Sequence, residues 1–180
     1  MERRGLIEGK DEIEIVSLKA VEIDKIQPFY EWFLQGKSLA PNEVLIGRDL
    51  AYKIGKVVGN TLMVSSPIDQ SYGFGIPRKM KINIGGIFST RVLDYDNRYV
   101  FIPLEMGKTL FKRKSGFDGI DVRLRNSESV LETKRKLQEV LPGSVKVQSW
   151  DELNQVLVDA MEMERIATIF ILSFIFLVAA

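Results

Sequence analysis

The stretch EVLIGRDLAYKIGKVVGNTLMV, residues 43–64, holds the signals of several structural elements in one short segment. Its first apolar run predicts a strand, and the next residues place Leu50, Ala51 and Ile54 on one side of a short helix. Gly55 ends this helix, because glycine accepts the left-handed conformation found at helix C-termini. The predicted elements are a strand at Val44–Ile46, a helix at Arg48–Ile54, a turn at Gly59-Asn60 and a strand at Thr61–Ser65.

A long hairpin is predicted downstream of this segment. In residues 79–88, KMKINIGGIF, Met80, Ile82 and Ile84 alternate with polar residues as in a half-buried strand. Prolines and glycines interrupt the strand pattern in the preceding SPIDQSYGFGIP, residues 66–77. The candidate contact residues at this tip are Ile68, Tyr72, Phe74 and Ile76. Either they fold back onto the sheet or they touch a partner protein, and the pattern leaves both interpretations open.

The other segments before residue 150 predict further strands and helices. Residues 12–23 read as a strand pair or as one bent strand, and Pro28 can open a short helix that Gly36 closes. The elements predicted after the hairpin are a strand at Arg98–Ile102, a helix at Leu104–Lys112, a strand at Gly116–Leu124, a helix from Ser127 to Leu141 and a strand at Ser144–Gln148. The last three of them form a strand–helix–strand unit of ferredoxin-like type.

The C-terminal segment predicts one long helix. It contains no proline or glycine from Trp150 onward, and Ser149 is a suitable residue before a helix start. The residues expected on its stripe, at helical spacing, are Trp150, Leu153, Leu157, Ala160 and Met161. A helix from residue 150 to residue 180 would be about 46 Å long. Without a joint, such a helix transmits displacement as a lever.

The end of this helix is strongly apolar. Residues 166–180, IATIFILSFIFLVAA, carry no charge. They would rise about 22 Å as a helix, whereas the bilayer core is about 30 Å thick and needs roughly 20 residues. We therefore predict a transmembrane helix that is truncated at residue 180. The alternative is a buried helix of a water-exposed domain, but such a helix usually keeps a polar face.

Composition excludes several classes of function. The 180 residues include 25 Lys and Arg against 24 Asp and Glu, so no large electrostatic field indicates nucleic-acid binding. The absence of Cys and His excludes thiol nucleophiles, disulfides, the usual zinc sites and histidine general bases within these residues. Asp94 and Asp96 flank Tyr95, and a strand edge or a turn explains them more simply than calcium. We expect no catalytic residue, no cofactor and no metal.

Three segments in this order resemble the permease subunits of lipoprotein-releasing ABC transporters, within the FtsX-like and MacB-like permeases. In residues 43–64, Ile46-Gly47, Leu50-Ala51 and Gly59-Asn60 match the family pattern "IG..LA..LG...GD", with Asn60 in place of the more usual Asp. Residues 81–111, KINIGGIFSTRVLDYDNRYVFIPLEMGKTLF, match "V.GIF..G..EYD....I.L..AQ". The Trp-led segment from residue 150 matches the family's helix that enters the second transmembrane segment.

The resemblance implies an α+β fold, a MacB-like periplasmic core domain with a β-rich inserted lobe and a porter-like βαβ lobe. It assigns residues 1–25 to N-terminal strands, with the rest of the domain missing, and residues 26–116 to the inserted lobe with its hairpin tip at 66–77. Residues 117–149 would be the porter-like unit. Residues 150–180 would be a stalk helix that runs into the truncated transmembrane segment at 166–180.

The resemblance also implies a function and partners. The family's permeases lie in the bacterial inner membrane with this domain on the periplasmic side, and they couple ATP hydrolysis by a separate cytoplasmic subunit to extracytoplasmic release of lipoproteins. A second permease subunit, a periplasmic lipoprotein carrier or another periplasmic protein, and the lipid bilayer are the implied partners. In one type of these permeases a hairpin called the hook grips the carrier, and residues 66–77 fall at its place.

Two other functions remain open at this point. A regulatory FtsX-like permease would bind a cell-wall hydrolase or its activator, and a MacB-like exporter or scaffold would act on another periplasmic partner. An independent membrane-anchored enzyme would need a carboxylate or a Ser–Lys site, and the sequence offers no such pair.

Overall fold

The structure, a computed structural model, describes residues 1–9, 12–22, 24–25, 33–36, 40–65, 79–113, 116–126 and 129–179. The chain divides into two compact units, the first at Met1–Asp121 and the second at Val122–Ala180. Because each unit has its own set of contacts, we describe each by itself.

The first unit is α+β, as the sequence predicts. Its strands are β1 (Glu2–Glu8), β2 (Ile13–Val21), β3 (Phe33–Gly36), β4 (Glu43–Gly47), β5 (Thr61–Ser65), β6 (Lys79–Phe88) and β7 (Tyr99–Pro103). Its helices are α1 (Arg48–Ile54), α2 (Leu93–Arg98) and α3 (Leu104–Leu110). All seven strands belong to one sheet.

The sheet closes on itself through β5. Five neighbouring pairings join β6 to β4, β4 to β7, β7 to β2, β2 to β1 and β1 to β5. The additional pairing of β5 with β6 completes a ring of six strands, and β3 pairs with the far end of β6. Closure satisfies the backbone hydrogen bonds that an open sheet leaves unpaired at its edges.

The interior of the ring is the main core of this unit. Every second residue of the strands points inward, so Val16, Leu18 and Ala20 of β2 are buried together with Val100 and Ile102 of β7. Helices α1 and α3 add apolar side chains to the same cluster, among them Leu50, Ile54, Met106 and Leu110. The alternating pattern of β6 is also observed, since Ile82 and Ile84 are buried while Lys81 and Asn83 are exposed.

A second, smaller apolar cluster lies on the opposite face of the strands. Leu45, Phe88 and Phe101 are buried there, and the rings of Phe88 and Phe101 meet edge to face with centroids 5.2 Å apart. Tyr95 and Tyr99 pack against this cluster and stack on each other at 3.9 Å. Helix α2 is thereby attached to the sheet through its tyrosine.

The segment at 43–65 folds as its sequence predicts. The helix at Arg48–Ile54 and the strand at Thr61–Ser65 have the predicted bounds, and β4 covers the first predicted strand. Gly55 and Gly59 have φ angles of 65° and 87°, the left-handed conformation that favours glycine. These local signals succeed because each of them is fixed by a few neighbouring residues.

Three predicted elements are corrected by the structure. The helix predicted to end at Gly36 is a strand over Phe33–Gly36, where it pairs with β6; the rest of it lies outside the described residues. No strand forms over residues 116–124 or 144–148, although the helix between them is present. The conformation of these segments depends on burial and on whether a neighbouring strand is available for pairing. An alternating sequence pattern alone does not show that such a strand is present.

Ion pairs replace the strand predicted at 116–124. Asp118 accepts hydrogen bonds from the Arg3 side chain and the Glu2 N–H and pairs with Arg113, while Asp121 pairs with Lys19 at 2.7 Å. Gly116 has a φ angle of 84°, which is incompatible with a regular strand. Residues 116–121 are therefore attached to the rest of the first unit by side chains rather than by a backbone ladder.

The sequence division after residue 25 does not coincide with a break in the sheet. Strand β2 precedes that point and β7 follows it, yet they pair in parallel from Ser17↔Tyr99 to Val21↔Pro103. Strand β1 likewise pairs with β5. The N-terminal strands and the segment expected to be an inserted lobe thus share one sheet.

The second unit contains three helices. They are α4 (Val130–Val140), α5 (Trp150–Leu153) and α6 (Gln155–Ala179). A turn follows α4, with the Val145 N–H donating to Pro142 O at 2.9 Å, where the sequence predicted the start of a strand. Within the described residues, no helix is both long enough and apolar enough to span a membrane.

Gly47, a residue of the family pattern, lies against the backbone of α2. A Cβ atom at this position would lie 2.0 Å from the Asp96 carbonyl oxygen, so one of the two segments would have to move. We expect Gly47→Ala to lower the free energy of unfolding by about 1–3 kcal/mol, the usual cost of overpacking. Urea unfolding followed by far-UV circular dichroism measures this change.

Gly119→Ala is the matched control. A Cβ at Gly119 meets no atom within 4 Å, so its effect should stay within about 0.5 kcal/mol. Equal stability of the Gly47→Ala variant and the original chain would show that this close approach does not constrain the fold.

Candidate functional site: the hairpin root and the terminal helices

The hairpin root is formed by the antiparallel pairing of β5 and β6. Their register runs from Thr61↔Asn83 to Ser65↔Lys79, so the chain leaves the sheet at Ser65 and returns at Lys79. The tip between these two residues lies outside the described residues. The four tip residues Ile68, Tyr72, Phe74 and Ile76 are therefore not located by the structure, and their role stays a prediction.

The root is held on both sides of β5. Besides its pairing with β6, β5 pairs with β1 through Leu6↔Ser65 and Ile7↔Val64. Leu62 and Val64 point into the core and are 1% and 0% exposed. Lys79 at the root also pairs with Glu8 of β1 at 2.6 Å, although an exposed pair of this kind contributes only about 0–1 kcal/mol. The tip thus grows from a part of the sheet that cannot shift without disrupting the core.

A buried carboxylate organises the loop between β6 and α2. Asp96 is fully buried, and its Oδ2 accepts hydrogen bonds from the Ser89 hydroxyl at 2.8 Å and from the Arg91 N–H at 3.2 Å. The N–H and the hydroxyl of Thr90 donate to its Oδ1 at 2.7 and 2.8 Å. Four donors compensate the cost of burying the charge, so this carboxylate is a structural group.

The sequence reading of Asp94 and Asp96 was wrong in its details. Neither a strand edge nor a turn contains them, because both lie in helix α2. Asp94 is exposed, whereas Asp96 faces back to the loop residues Ser89–Arg91. The signal that could have identified Asp96 is the preceding Ser89-Thr90, since hydroxyl residues close to an acidic residue often form such local bonds.

Arg91 occupies the position of the glycine in the family pattern "GIF..G..EYD". Its φ angle is 61°, the left-handed conformation that costs a residue with a side chain about 1–2 kcal/mol. The hydrogen bond from its N–H to Asp96 helps to hold that conformation. The pattern's glycine is therefore explained by backbone geometry, and this chain tolerates an arginine there.

Asn60 stands where the family more often has Asp. Its Oδ1 accepts a hydrogen bond from the Val57 N–H at 3.0 Å. A carboxylate oxygen can accept the same bond, so the replacement preserves the turn before β5. The departure from the pattern has a local structural explanation.

In the second unit, Glu152 connects the start of α5 to α4. Its carboxylate pairs with the Lys134 ammonium and accepts a hydrogen bond from the Ser149 N–H at 3.3 Å. The hydrogen bond from Lys134, followed by that from the Ser149 backbone, holds the pKa of Glu152 below its ordinary value. Ser149 itself is buried, as a residue at a helix start held by its neighbours is expected to be.

The predicted single helix from Trp150 is divided at Asn154. This residue has φ −120° and ψ 34°, outside the helical region, and it separates α5 from α6. Its side-chain Nδ2 donates to Trp150 O at 2.8 Å, beside the helical bond that its backbone N–H makes to the same oxygen at 3.0 Å. The prediction of an unbroken lever from residue 150 is therefore wrong; the unbroken part begins at Gln155.

The five stripe residues lie on both sides of this division. Trp150 and Leu153 belong to α5, whereas Leu157, Ala160 and Met161 belong to α6. All five are exposed in the structure. Their helical spacing is thus observed only within each piece, and their role in coupling stays a prediction.

The apolar end of α6 has few polar side-chain atoms. Between residues 166 and 179 these are the hydroxyls of Thr168 and Ser173, which donate to the carbonyls of Glu164 and Ile169 at 2.9 and 2.8 Å. Both donors are satisfied within the helix itself. The apolar side chains of Ile166–Val178 are exposed.

Acidic residues do not form a metal-binding cluster within the described residues, since no group of three or more acidic side chains there could hold a metal ion. Asp96, the buried carboxylate, accepts hydrogen bonds from four donors in the same loop.

We expect Asp96→Asn to destabilise the first unit by about 3–5 kcal/mol, the usual cost of breaking a buried charged network. An amide nitrogen would face hydrogen-bond donors where a carboxylate oxygen now accepts. The control is Asp94→Asn on the same helix, where an exposed pair with Arg98 at 3.7 Å is worth about 0–1 kcal/mol. If urea unfolding gives equal midpoints for the two variants, the Asp96 network is not what fixes this loop.

A second prediction concerns the pH dependence of the α4–α5 contact. Because the pKa of Glu152 is lowered on folding, the contact stabilises the folded state above the ordinary pKa and is lost as the pH falls through the lowered value. Carbon-13 NMR titration of the carboxyl should show that Lys134→Gln raises this pKa toward its ordinary value of 4.5.

Glu132 provides the internal control for that titration. Its pKa is lowered mainly by a hydrogen bond from Lys136, so Lys134→Gln should leave it in place while Lys136→Gln raises it. If Lys134→Gln leaves the pKa of Glu152 unchanged, the contact between Lys134 and Glu152 is contradicted.

Comparison with known proteins identifies relatives of the whole chain. No protein-family model matches it. A lipoprotein-releasing system transmembrane protein LolC of Xylella fastidiosa (strain 9a5c) is 24% identical over 98% of this chain and 41% of its own length. The LolC protein of Neisseria meningitidis serogroup B is 25% identical over 98% of this chain and 45% of its own length.

A solved structure is also similar, that of the extracellular domain of the noncanonic ABC-type transporter YknZ from Gram-positive bacteria. It has a TM-score of 0.49 and 14% identity, and the match covers 77% of this chain and 71% of that one. The chain spans less than half the length of the two LolC relatives. The match to those relatives runs along nearly all residues of this chain at 24% and 25% identity, so the chain is similar to lipoprotein-releasing transmembrane proteins.

Proposed function

We propose that this chain is the extracytoplasmic part of an ABC transporter permease that releases lipoproteins from the bacterial inner membrane. The observation that carries the proposal is the match of 98% of the chain to proteins named as lipoprotein-releasing transmembrane proteins. ATP hydrolysis would take place in a separate cytoplasmic subunit. A second permease subunit would complete the transporter.

The apolar end of α6 supports a place in the membrane. Residues 166–179 rise about 21 Å, less than the roughly 30 Å of a bilayer core. Their hydroxyl groups are satisfied by carbonyls of the same helix, as a lipid environment requires. We propose that residues 166–180 are the first part of a transmembrane helix and that the first unit lies on the periplasmic side.

The hairpin supports contact with a periplasmic partner. Its root is held by β1 and β6 together, so a load applied to the tip is passed to the core of the sheet. The tip sequence supplies the apolar residues Ile68, Tyr72, Phe74 and Ile76 for such a contact. A soluble carrier that accepts acylated lipoproteins is the partner we propose, and the stalk formed by α6 would connect this contact to the membrane.

The assignment of residues 26–116 and 117–149 to inserted and porter-like lobes remains part of this proposal. The paired sheet around the hairpin root suits the first of them. The second contains α4 but, within the described residues, no paired strand beside it.

Reconstitution of the full-length permease with its ATP-binding subunit tests the function. Proteoliposomes carrying a triacylated lipoprotein should release it to a soluble carrier when ATP is added. The same protein without its acyl chains is the control for ordinary leakage. Release of the lipoprotein without ATP and without the carrier would contradict the proposal. Binding of a cell-wall hydrolase instead of the carrier would favour the regulatory alternative.

For the hairpin, we expect Phe74→Asp to weaken carrier binding about tenfold or more, because a charge buried in an apolar contact is poorly compensated. Surface plasmon resonance with the full-length permease in detergent measures the affinity. Ser71→Asp adds the same charge at a polar position of the same segment and should change binding much less. Equal binding by the original protein and a folded Phe74→Asp variant would contradict the contact.

For the stalk, we expect Ala160→Pro to uncouple ATP hydrolysis from lipoprotein release. Proline removes a hydrogen bond and clashes within a helix interior, at a cost of about 3 kcal/mol or more. The measurement is release per ATP hydrolysed in the proteoliposomes. Ala160→Ser keeps the backbone N–H and serves as the control; unchanged coupling in the proline variant would exclude a mechanical role for this helix.

A further inference from the structure

The division of the C-terminal helix at Asn154 occurs in a sequence without helix breakers. No proline or glycine lies between Trp150 and Ala180. The two pieces are separated by one residue whose side chain bonds to the preceding turn, with Nδ2 2.8 Å from Trp150 O. The side-chain bond accompanies the break and shares its acceptor with the helical bond from the Asn154 N–H to Trp150 O, which is 3.0 Å long.

The backbone bonds around Asn154 are shared between the two pieces. The Asn154 N–H donates to both Trp150 O and Asp151 O, at 3.0 and 3.2 Å, and its carbonyl accepts from Leu157 and Val158 at 2.9 and 3.1 Å. Bonds to residues three and four positions away are those of a tightened helical turn. A change in the backbone angles of one residue would therefore join the pieces into a continuous helix.

The two pieces have different attachments. Helix α5 is tied to α4 by the Lys134–Glu152 pair and to Ser149 by the bond that Glu152 accepts. Helix α6 extends from Gln155 to Ala179, and its side chains are exposed from Met161 to Val178. The joint at Asn154 lies where the attached piece meets the exposed one.

From this geometry we infer that Asn154 is a two-state joint. In one state its side chain caps Trp150 O and the helix is divided, as observed here. In the other state the side chain turns to solvent and one helix runs from Trp150 to Ala179. The divided state absorbs movement of α6, and the continuous state passes it to α4 through the Lys134–Glu152 pair.

This inference rests on the proposed coupling role of α6, but its test does not depend on transport. The 180 residues contain no cysteine, so once any cysteine elsewhere in the full-length protein has been replaced by serine, Asp151→Cys and Arg165→Cys can be labelled with nitroxides in lipid nanodiscs. In a continuous helix these positions are separated by a rise of about 21 Å, and in a divided helix the distance between them is shorter. Pulsed electron paramagnetic resonance measures both populations.

We expect Asn154→Ala to increase the ratio of the long to the short distance about threefold or more, because alanine favours the helix and cannot cap Trp150 O. Gln155→Ala, the same kind of substitution one residue later, should leave the ratio unchanged. A ratio that Asn154→Ala leaves unchanged, or that both substitutions change alike, overturns the joint. Loss of lipoprotein release with a normal distance response would instead count against the proposed function alone.

Discussion

The pairing of β5 with two neighbours is the constraint on which the first unit depends. Without the β1–β5 and β5–β6 ladders the sheet would be open, and the core formed by β2, β6 and β7 would be exposed on one side. The same two ladders fix the points where the hairpin leaves and re-enters the sheet. The pairings that complete the core therefore also hold the root of the hairpin. A protein that keeps this core also keeps the position of that root.

The residues that carry the resemblance to the permeases are mostly residues that make this fold possible. Gly47 lies too close to the Asp96 carbonyl oxygen to be replaced by a residue with a side chain without a shift. The Asp96 carboxylate accepts a hydrogen bond from the loop residue Arg91. The first two of these positions belong to two segments far apart in sequence that meet in space. Such residues are required by the backbone, and they say little about what the protein binds.

Local signals allowed much of the first unit to be predicted from sequence. The helix at Arg48–Ile54 and the turns at Gly55 and Gly59 depend on neighbouring residues and could be predicted. The strand at Phe33–Gly36 could not, because its conformation is set by pairing with β6. Segment 116–124 had the alternation of a strand, but ion pairs of Asp118 and Asp121 hold it in another conformation. Long-range partners are what a single sequence does not reveal.

The candidate site was predictable only in part, for the same reason. The prolines and glycines that interrupt the strand pattern predict the hairpin. The pairing of β5 with β1, which also holds the hairpin root, has no signal in the sequence. The prediction that Asp96 lies at a strand edge or in a turn is wrong, because its hydrogen-bond donors lie in a loop that folds near the contact with Gly47. The helical spacing of apolar residues continues through Asn154, so the sequence pattern does not predict the interruption there. The spacing describes what a continuous helix would present to its surroundings, whereas the backbone angles of Asn154 show where the helix is interrupted. Helical spacing therefore predicts which residues share a face, and the continuity of the helix depends on local backbone geometry that the spacing does not record.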